Sequence, residues 1–212
     1  MDTWAFVLKK FNIKRDVIEI PGVGRDDLAK LFGELGFKVG AELGVAAGEY
    51  SAVIMKYNPD ITLYGVDPYI SYSGYKDYTR KETFNALEER AHALLDKYPT
   101  YKFVRKMSLE AAEDFEDESL DFVYIDANHA EPFVTQDIEA WAPKVRKGGI
   151  VSGHDYAHIR GADGADSRNW AVIGAINRYA KKHGIQLFIW GLEAKIPGLK
   201  RESIRSWMFV KD

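Results

Sequence analysis

No cysteine occurs among the 212 residues. Disulfides, thiolate-ligated zinc and a cysteine nucleophile are therefore excluded, and a cytoplasmic location is the expectation. No apolar run approaches the roughly 20 residues that a membrane-spanning helix needs. The opening Met1-Asp2-Thr3-Trp4 lacks the basic start and apolar stretch of a secretory signal. Excess charge of one sign is also missing, since 29 Lys and Arg stand against 32 Asp and Glu, a net charge of −3. Such a balance favours neither nucleic acid nor a membrane surface as partner and leaves a small molecule as the expected ligand. Hydrophobic residues make up 46% and charged residues 29%, the values of an ordinary globular chain.

Within that ordinary composition one stretch stands out, Val39-Gly40-Ala41-Glu42-Leu43-Gly44-Val45-Ala46-Ala47-Gly48-Glu49-Tyr50-Ser51. An apolar run ends in a glycine, turns through small residues to a second glycine and opens into a helical pattern. Glycines permit positive φ and close approach of a ligand to the backbone. The start of the following helix offers unpaired N–H groups to an anion. Leu63-Tyr64-Gly65-Val66-Asp67 then reads as a second strand ending in an acid. A carboxylate at that position of a doubly wound sheet binds ribose hydroxyls, so a nucleoside-bearing ligand is expected. The loop lacks the third glycine of the dinucleotide fingerprint.

From Lys38 onward strand and helix patterns alternate, which predicts an α/β fold with a mostly parallel sheet. Strands are expected over residues 39–44, 61–66, 101–105, 120–126, 149–153, 186–191 and 206–211. Helices are expected over 49–57, 79–98, 108–114, 131–145 and 169–183. Residues 1–37 read as a helical N-terminal extension, with Asp26 or Asp27 capping a helix that Gly36 stops, and residues 38–212 as one domain. Two insertions interrupt the alternation. One, residues 69–78, carries Tyr69, Tyr72, Tyr75 and Tyr78, which either line a substrate mouth or pack the loop. The other, residues 155–168, has the composition of a loop and the position of a gating lid.

The densest chemistry lies at two strand ends. Leu120-Asp121-Phe122-Val123-Tyr124-Ile125-Asp126 is followed by His129, and Gly149-Ile150-Val151-Ser152-Gly153 by His154-Asp155. Ligands of open α/β sheets gather beyond the carboxyl ends of strands, which places Asp126 for function, with capping of the next helix as its structural alternative. The unperturbed pKa of histidine, near neutrality, suits His129 to the part of a general base. His92, His158 and His183 lack such surroundings and read as surface residues.

The segment Glu42-Leu43-Gly44-x-x-x-Gly48-x-Tyr50-Ser51 resembles motif I of the class I S-adenosylmethionine-dependent methyltransferases, near the catechol O-methyltransferase form. Lys147-Gly148-Gly149 with the strand after it resembles the same family's fifth-strand turn. The resemblance implies a Rossmann-like sheet of seven strands with an antiparallel last strand. It implies S-adenosylmethionine as cofactor, bound by Glu42, Gly44, Gly48, Tyr50, Ser51, Asp67, Ser108 and Asp126, where Ser108 matches an adenine-edge contact or serves only as a helix N-cap. The pairing of Asp126 and His129 with Asp155 resembles the metal-dependent O-methyltransferases of catechols and macrolide sugars. That likeness implies a divalent metal such as Mg²⁺ held by Asp126, His154 and Asp155, His129 as base, and a small-molecule hydroxyl as acceptor. His154 departs from the family's all-oxygen pattern, and an imidazole ligand moves the preference toward Mn²⁺, Fe²⁺ or Zn²⁺. A metal-free methyltransferase, a nicotinamide-dependent oxidoreductase and a non-catalytic nucleoside-binding protein are the rival readings. A homo-oligomer is compatible with all of them.

Overall fold

The computed structural model describes residues 2–13, 19–20, 22–74, 80–156, 170–191 and 205–212. Among them, β2 (Val39–Leu43), β3 (Thr62–Val66), β4 (Tyr101–Val104), β5 (Leu120–Ile125) and β6 (Val145–Gly153) form a parallel sheet in the order β6-β5-β2-β3-β4. Then β8 (Ser206–Val210) runs antiparallel against both β6 and β7 (Phe188–Trp190). The helices α3 (Glu49–Tyr57), α4 (Lys81–Leu95), α5 (Ser108–Ala112), α6 (Phe133–Trp141) and α7 (Trp170–His183) fall between the strands. None of the described helices is long and apolar enough to cross a membrane.

Among the described residues the sheet has eight strands rather than the expected seven. The extra one is β1 (Glu19–Ile20), which pairs parallel with β7 at the sheet's edge. Two residues carry no alternation, so this strand leaves no trace in the sequence pattern. On either side of it in the chain lie α1 (Thr3–Lys10) and α2 (Arg25–Glu34). The cap of α2 is Gly24, not Asp26 or Asp27. Asp27 instead accepts a hydrogen bond from the Gly24 N–H at 3.0 Å, the return half of a capping box. Because β1 is parallel to β7, the chain leaves it at the carboxyl edge of the sheet and starts α2 there.

Side chains alternate across each strand and build one core on each face. Phe122 and Tyr124 of β5 pack under α2, α3 and α4, with Phe32 stacked on Phe122 at 3.9 Å between ring centroids. Val123 and Ile125 pack on the other face with Trp141 of α6, Ile176 of α7 and Phe209 of β8. Gly40 in β2 lies under the ring of Phe122, where a Cβ would come within 2.1 Å of it. Both faces being covered, the open carboxyl edge is where polar side chains can meet a ligand.

Candidate active site

Four loops converge on that edge, after β2, β3, β4 and β5, and with the start of α6 line a cleft. Gly44, Asp67, Ser108 and Asp126 line it. Gly44 has φ +85°, and a Cβ there would come within 2.1 Å of the Asp126 carbonyl oxygen. The first glycine of the loop therefore serves close approach of two backbones as well as the turn. Gly44→Ala is expected to lower stability by at least about 2 kcal/mol, from positive φ plus the clash. Urea unfolding measures it, and an unchanged midpoint would show that the loop takes another path. Gly48, φ +77°, caps α3 and abuts Leu95 and Ala91 of α4.

Asp67 ends β3. Its carboxylate accepts the Ala46 N–H and the Tyr69 N–H, each at 2.9 Å, and burial pushes its pKa up against those bonds. Tyr69 is buried and donates its hydroxyl to the Ala46 carbonyl at 3.0 Å, whereas Tyr72 lines the cleft against Phe133. Both described tyrosines of the insertion thus line the cleft, Tyr69 while packed and Tyr72 more openly, with Tyr75 and Tyr78 outside the described residues. The expected lid falls outside them too from residue 157 on, as does His158.

Glu42, Gly48, Tyr50 and Ser51, grouped with the cofactor loop by sequence, lie a layer beneath the cleft surface rather than on it. The Glu42 carboxyl is 1% exposed and accepts the Ser51 hydroxyl, which in turn meets the Tyr101 hydroxyl at 3.0 Å. Period-two alternation explains the placement: Glu42 points to the α3 face, while Leu43 points to the other core. Burial pushes the Glu42 pKa up to about 8, with Asp126 and Asp67 adding to it and Ser51 and Arg25 opposing. Tyr50 rests on Tyr124 at 4.3 Å between centroids and donates its hydroxyl to the Arg25 carbonyl at 3.1 Å.

At the ends of β5 and β6 the four expected polar residues do meet. His129 Nε2 lies 2.6 Å from Asp155 Oδ2 and 3.5 Å from Asp126 Oδ1. His154 Nδ1 lies 3.3 Å from Asp155 Oδ2 and 3.9 Å from Asp126 Oδ2. One ligand atom from each of Asp126, His154 and Asp155 falls within 4.8 Å of the others. Burial would raise the Asp155 pKa, but hydrogen bonds and charge from His129 and His154 outweigh it and hold the carboxyl well below the usual range. Asp155 takes φ +60°, a left-handed conformation that Asp tolerates better than most residues. Asp126 does not cap a helix, because α6 starts at Phe133 with Pro132 as its cap.

Ser108 is not an N-cap either, for Met107 holds that position. The Ser108 hydroxyl donates to Asp137 Oδ1 at 2.5 Å, and Trp141 Nε1 donates to Ser108 Oγ at 3.1 Å. Of the remaining histidines, His92 is half exposed beside Asp96 and stacks on Phe103, and His183 is exposed.

Two residues of the site were missed by sequence reasoning. Arg25, at the start of α2, places its guanidinium 3.4 Å from Asp126 and 5.0 Å from the centroid of the Tyr50 ring. Nothing local in the sequence signals a contact across 101 positions. Asp137 is 4% exposed and lines the cleft. It did leave a signal, since it interrupts the apolar stripe Val134, Ile138 and Trp141 on the buried face of α6.

Comparison with known proteins agrees with this architecture. A Staphylococcus aureus structure described as a candidate caffeoyl-CoA O-methyltransferase superposes over 97% of this chain and 91% of its own, at 18% identity and a TM-score of 0.61. An O-methyltransferase from Bacillus cereus, solved with S-adenosylhomocysteine, covers 100% and 91% at 13% identity and TM-score 0.60. TomG of Streptomyces achromogenes, an O-methyltransferase of tomaymycin synthesis solved with S-adenosylmethionine, covers 98% and 87% at 15% identity and TM-score 0.58. At these identities the likeness is one of fold. An uncharacterized protein of Sinorhizobium fredii, y4gI, is 32% identical over 95 residues, 43% of this chain and 10% of that protein's length. The profile of the family described as "Methyltransferase domain" matches residues 41–156, more than half the chain, and spans Gly44, Gly48, Asp67, Asp126 and Asp155. The chain belongs to this methyltransferase family.

Proposed function

We propose that the protein transfers the methyl group of S-adenosylmethionine to a hydroxyl oxygen of a small molecule. The observation that carries this reading is the juxtaposition of the cleft, bounded by Gly44, Asp67 and Ser108, with the Asp126–His129–His154–Asp155 cluster at its end. The solved relatives that hold S-adenosylmethionine or S-adenosylhomocysteine support the choice of cofactor. When bound, that cofactor supplies an electrophilic methyl on a sulfonium. In this reading Asp67 accepts the ribose hydroxyls, and the backbone at Gly44 and Ala46, in the turn before α3, faces the methionine end. Residues 38–212 are the catalytic body, and residues 1–37 complete it through β1 and Arg25.

His129 takes the proton of the acceptor hydroxyl. The oxygen would then attack the methyl carbon in line as the carbon–sulfur bond breaks and S-adenosylhomocysteine leaves, with alignment by the cleft as the main source of rate. Asp155, 2.6 Å from His129, orients the imidazole and stabilises its charged form. Two carboxylates and an imidazole in reach of one point also fit a divalent cation with open positions. A cation held by Asp126, His154 and Asp155 would ease loss of the acceptor's proton. The mixed donor set favours Mn²⁺, Fe²⁺ or Zn²⁺ over Mg²⁺. The short His129–Asp155 contact favours a second reading, a metal-free base pair of the same fold, because it engages the oxygen a metal would use.

Calorimetric titration with S-adenosylhomocysteine, with and without Mn²⁺ or chelator and with NADH as control, tests these readings. Binding of S-adenosylhomocysteine and not NADH is expected, with a separate Mn²⁺ heat in the loaded protein. No binding of S-adenosylhomocysteine by folded protein overturns the methyltransferase reading. Absence of a Mn²⁺ heat leaves the metal-free pair.

A further inference from the structure

We infer that Arg25 sets how tightly the Asp126–His154–Asp155 group holds a divalent cation: its guanidinium and the cation compete for the Asp126 carboxylate, so the N-terminal segment keeps the metal loosely held and exchangeable. The inference rests on the metal-assisted reading above and adds a control on that same site. Arg25 lies ahead of residues 41–156, the stretch that the family profile matches, so the competing charge comes from a part of the chain the profile does not describe.

The contested group is one side of one carboxylate. Arg25 Nη1 lies 3.4 Å from Asp126 Oδ2, and that same oxygen is 3.9 Å from His154 Nδ1. Oδ1 faces His129 instead, at 3.5 Å. A cation shared with His154 and Asp155 therefore meets Asp126 on the side that Arg25 engages. Asp155 is faced by histidines, His129 at 2.6 Å and His154 at 3.3 Å. An arginine differs from these in keeping its charge at every pH the fold survives. A second cation gains Asp126 only by moving that charge or by binding against it.

Arg25 is also built into place. The capping box of Gly24 and Asp27 fixes the start of α2. The Tyr50 hydroxyl donates to the Arg25 carbonyl at 3.1 Å, and the guanidinium lies 5.0 Å from the centroid of the Tyr50 ring. The Arg25 and Asp126 side chains keep 26% and 19% of their exposure, so the pair is screened less than one on the open surface. Upstream, β1 ties the segment to β7, and Glu19 of β1 pairs with Arg205 at 2.6 Å. The position of the guanidinium over Asp126 thus depends on the edge strand and on α2, and neither supplies a ligand of the cation group.

The test is calorimetric titration of the intact chain with Mn²⁺, without and with S-adenosylhomocysteine, on the parent and on Arg25→Gln, Arg25→Met and Arg25→Lys. Thermal unfolding of each variant checks that the fold is kept, and methionine retains an apolar stem against the Tyr50 ring should glutamine unsettle α2. The two neutral variants should bind Mn²⁺ roughly tenfold to a hundredfold tighter than the parent, the range for a hydrogen bond to a charged group. Arg25→Lys keeps the charge and should stay within about threefold of the parent. A residue that only props up α2 would give the opposite, weaker Mn²⁺ binding in all three variants. A Mn²⁺ heat missing from the parent and present in a neutral variant upholds the inference. Equal or weaker affinity in the folded neutral variants, or a gain in the lysine variant as large as in the neutral ones, overturns it and leaves the metal reading standing. No Mn²⁺ heat in any of the four proteins overturns both and leaves the metal-free pair.

Discussion

Asp155→Asn should slow methyl transfer by roughly two to four orders of magnitude while S-adenosylhomocysteine still binds within about threefold of the parent. Asparagine is the informative replacement. Asp155 sits at φ +60°, and Asn tolerates the left-handed region, whereas Ala would add backbone strain to the loss of charge. The substitution keeps the side chain's size and removes the charge that faces His129 at 2.6 Å and His154 at 3.3 Å. His129 then loses the group that holds its ring and stabilises its protonated form, as in other base–carboxylate pairs. A cation at Asp126, His154 and Asp155 loses a charged ligand in the same step. Because Asp155 lies outside the residues that line the cleft, cofactor affinity should hold. Steady-state rates with a turned-over acceptor, beside calorimetry with S-adenosylhomocysteine, separate the two effects. Full activity in the variant would remove both the metal and the base-pair reading. Activity of the parent in chelator tells which of the two Asp155 serves.

How far the sequence reached depends on whether a feature is local and periodic. Helix α3 was expected over residues 49–57 and is found there, since a glycine cap and an apolar stripe bound it on both sides. The convergence of Asp126, His129, His154 and Asp155 followed from topology, because neighbouring parallel strands end on the same edge. Strand β1 was invisible because two residues have no period. Strand β6 begins at Val145, four residues earlier than expected. Its Lys147-Gly148-Gly149 segment looks like a turn but is an irregularity inside the strand, where the register against β5 shifts between Leu120 and Phe122. Arg25 was out of reach because its contact with Asp126 is made by folding alone. Glu42 was legible as a motif residue, but motif spacing gives no direction, and the pleat turns its side chain away from the cleft into the core.

Glu42→Gln should be more stable than the parent at pH 9 by about 2–4 kcal/mol, and the gap should close toward pH 5. The sign follows from the shift. An exposed glutamate ionises near 4.5, whereas in the fold the Glu42 pKa is pushed up to about 8, burial being the largest cause. Between those values the folded chain holds a proton that the unfolded chain has released, so stability falls as pH rises through that window and is level above it. An acid with a raised pKa thus opposes folding at high pH, the reverse of Asp155, whose lowered pKa favours folding above the ordinary carboxylate range and loses that benefit in acid. Asp137, raised to about 6, adds to the Glu42 trend at lower pH. The difference between variant and parent, rather than either curve alone, therefore isolates Glu42. Glutamine has the same length, and its carbonyl can still accept the Ser51 hydroxyl that Glu42 now accepts. Any fixed cost of the added amide shifts the whole difference without changing its slope. Thermal unfolding from pH 5 to pH 9 should show the variant's midpoint moving ahead by several degrees, at about 2–4 °C per kcal/mol for a chain of this size. Parallel profiles would mean that the carboxyl is solvated in the folded protein, and that the layer of Glu42, Ser51 and Tyr101 beneath the cofactor loop is open to water.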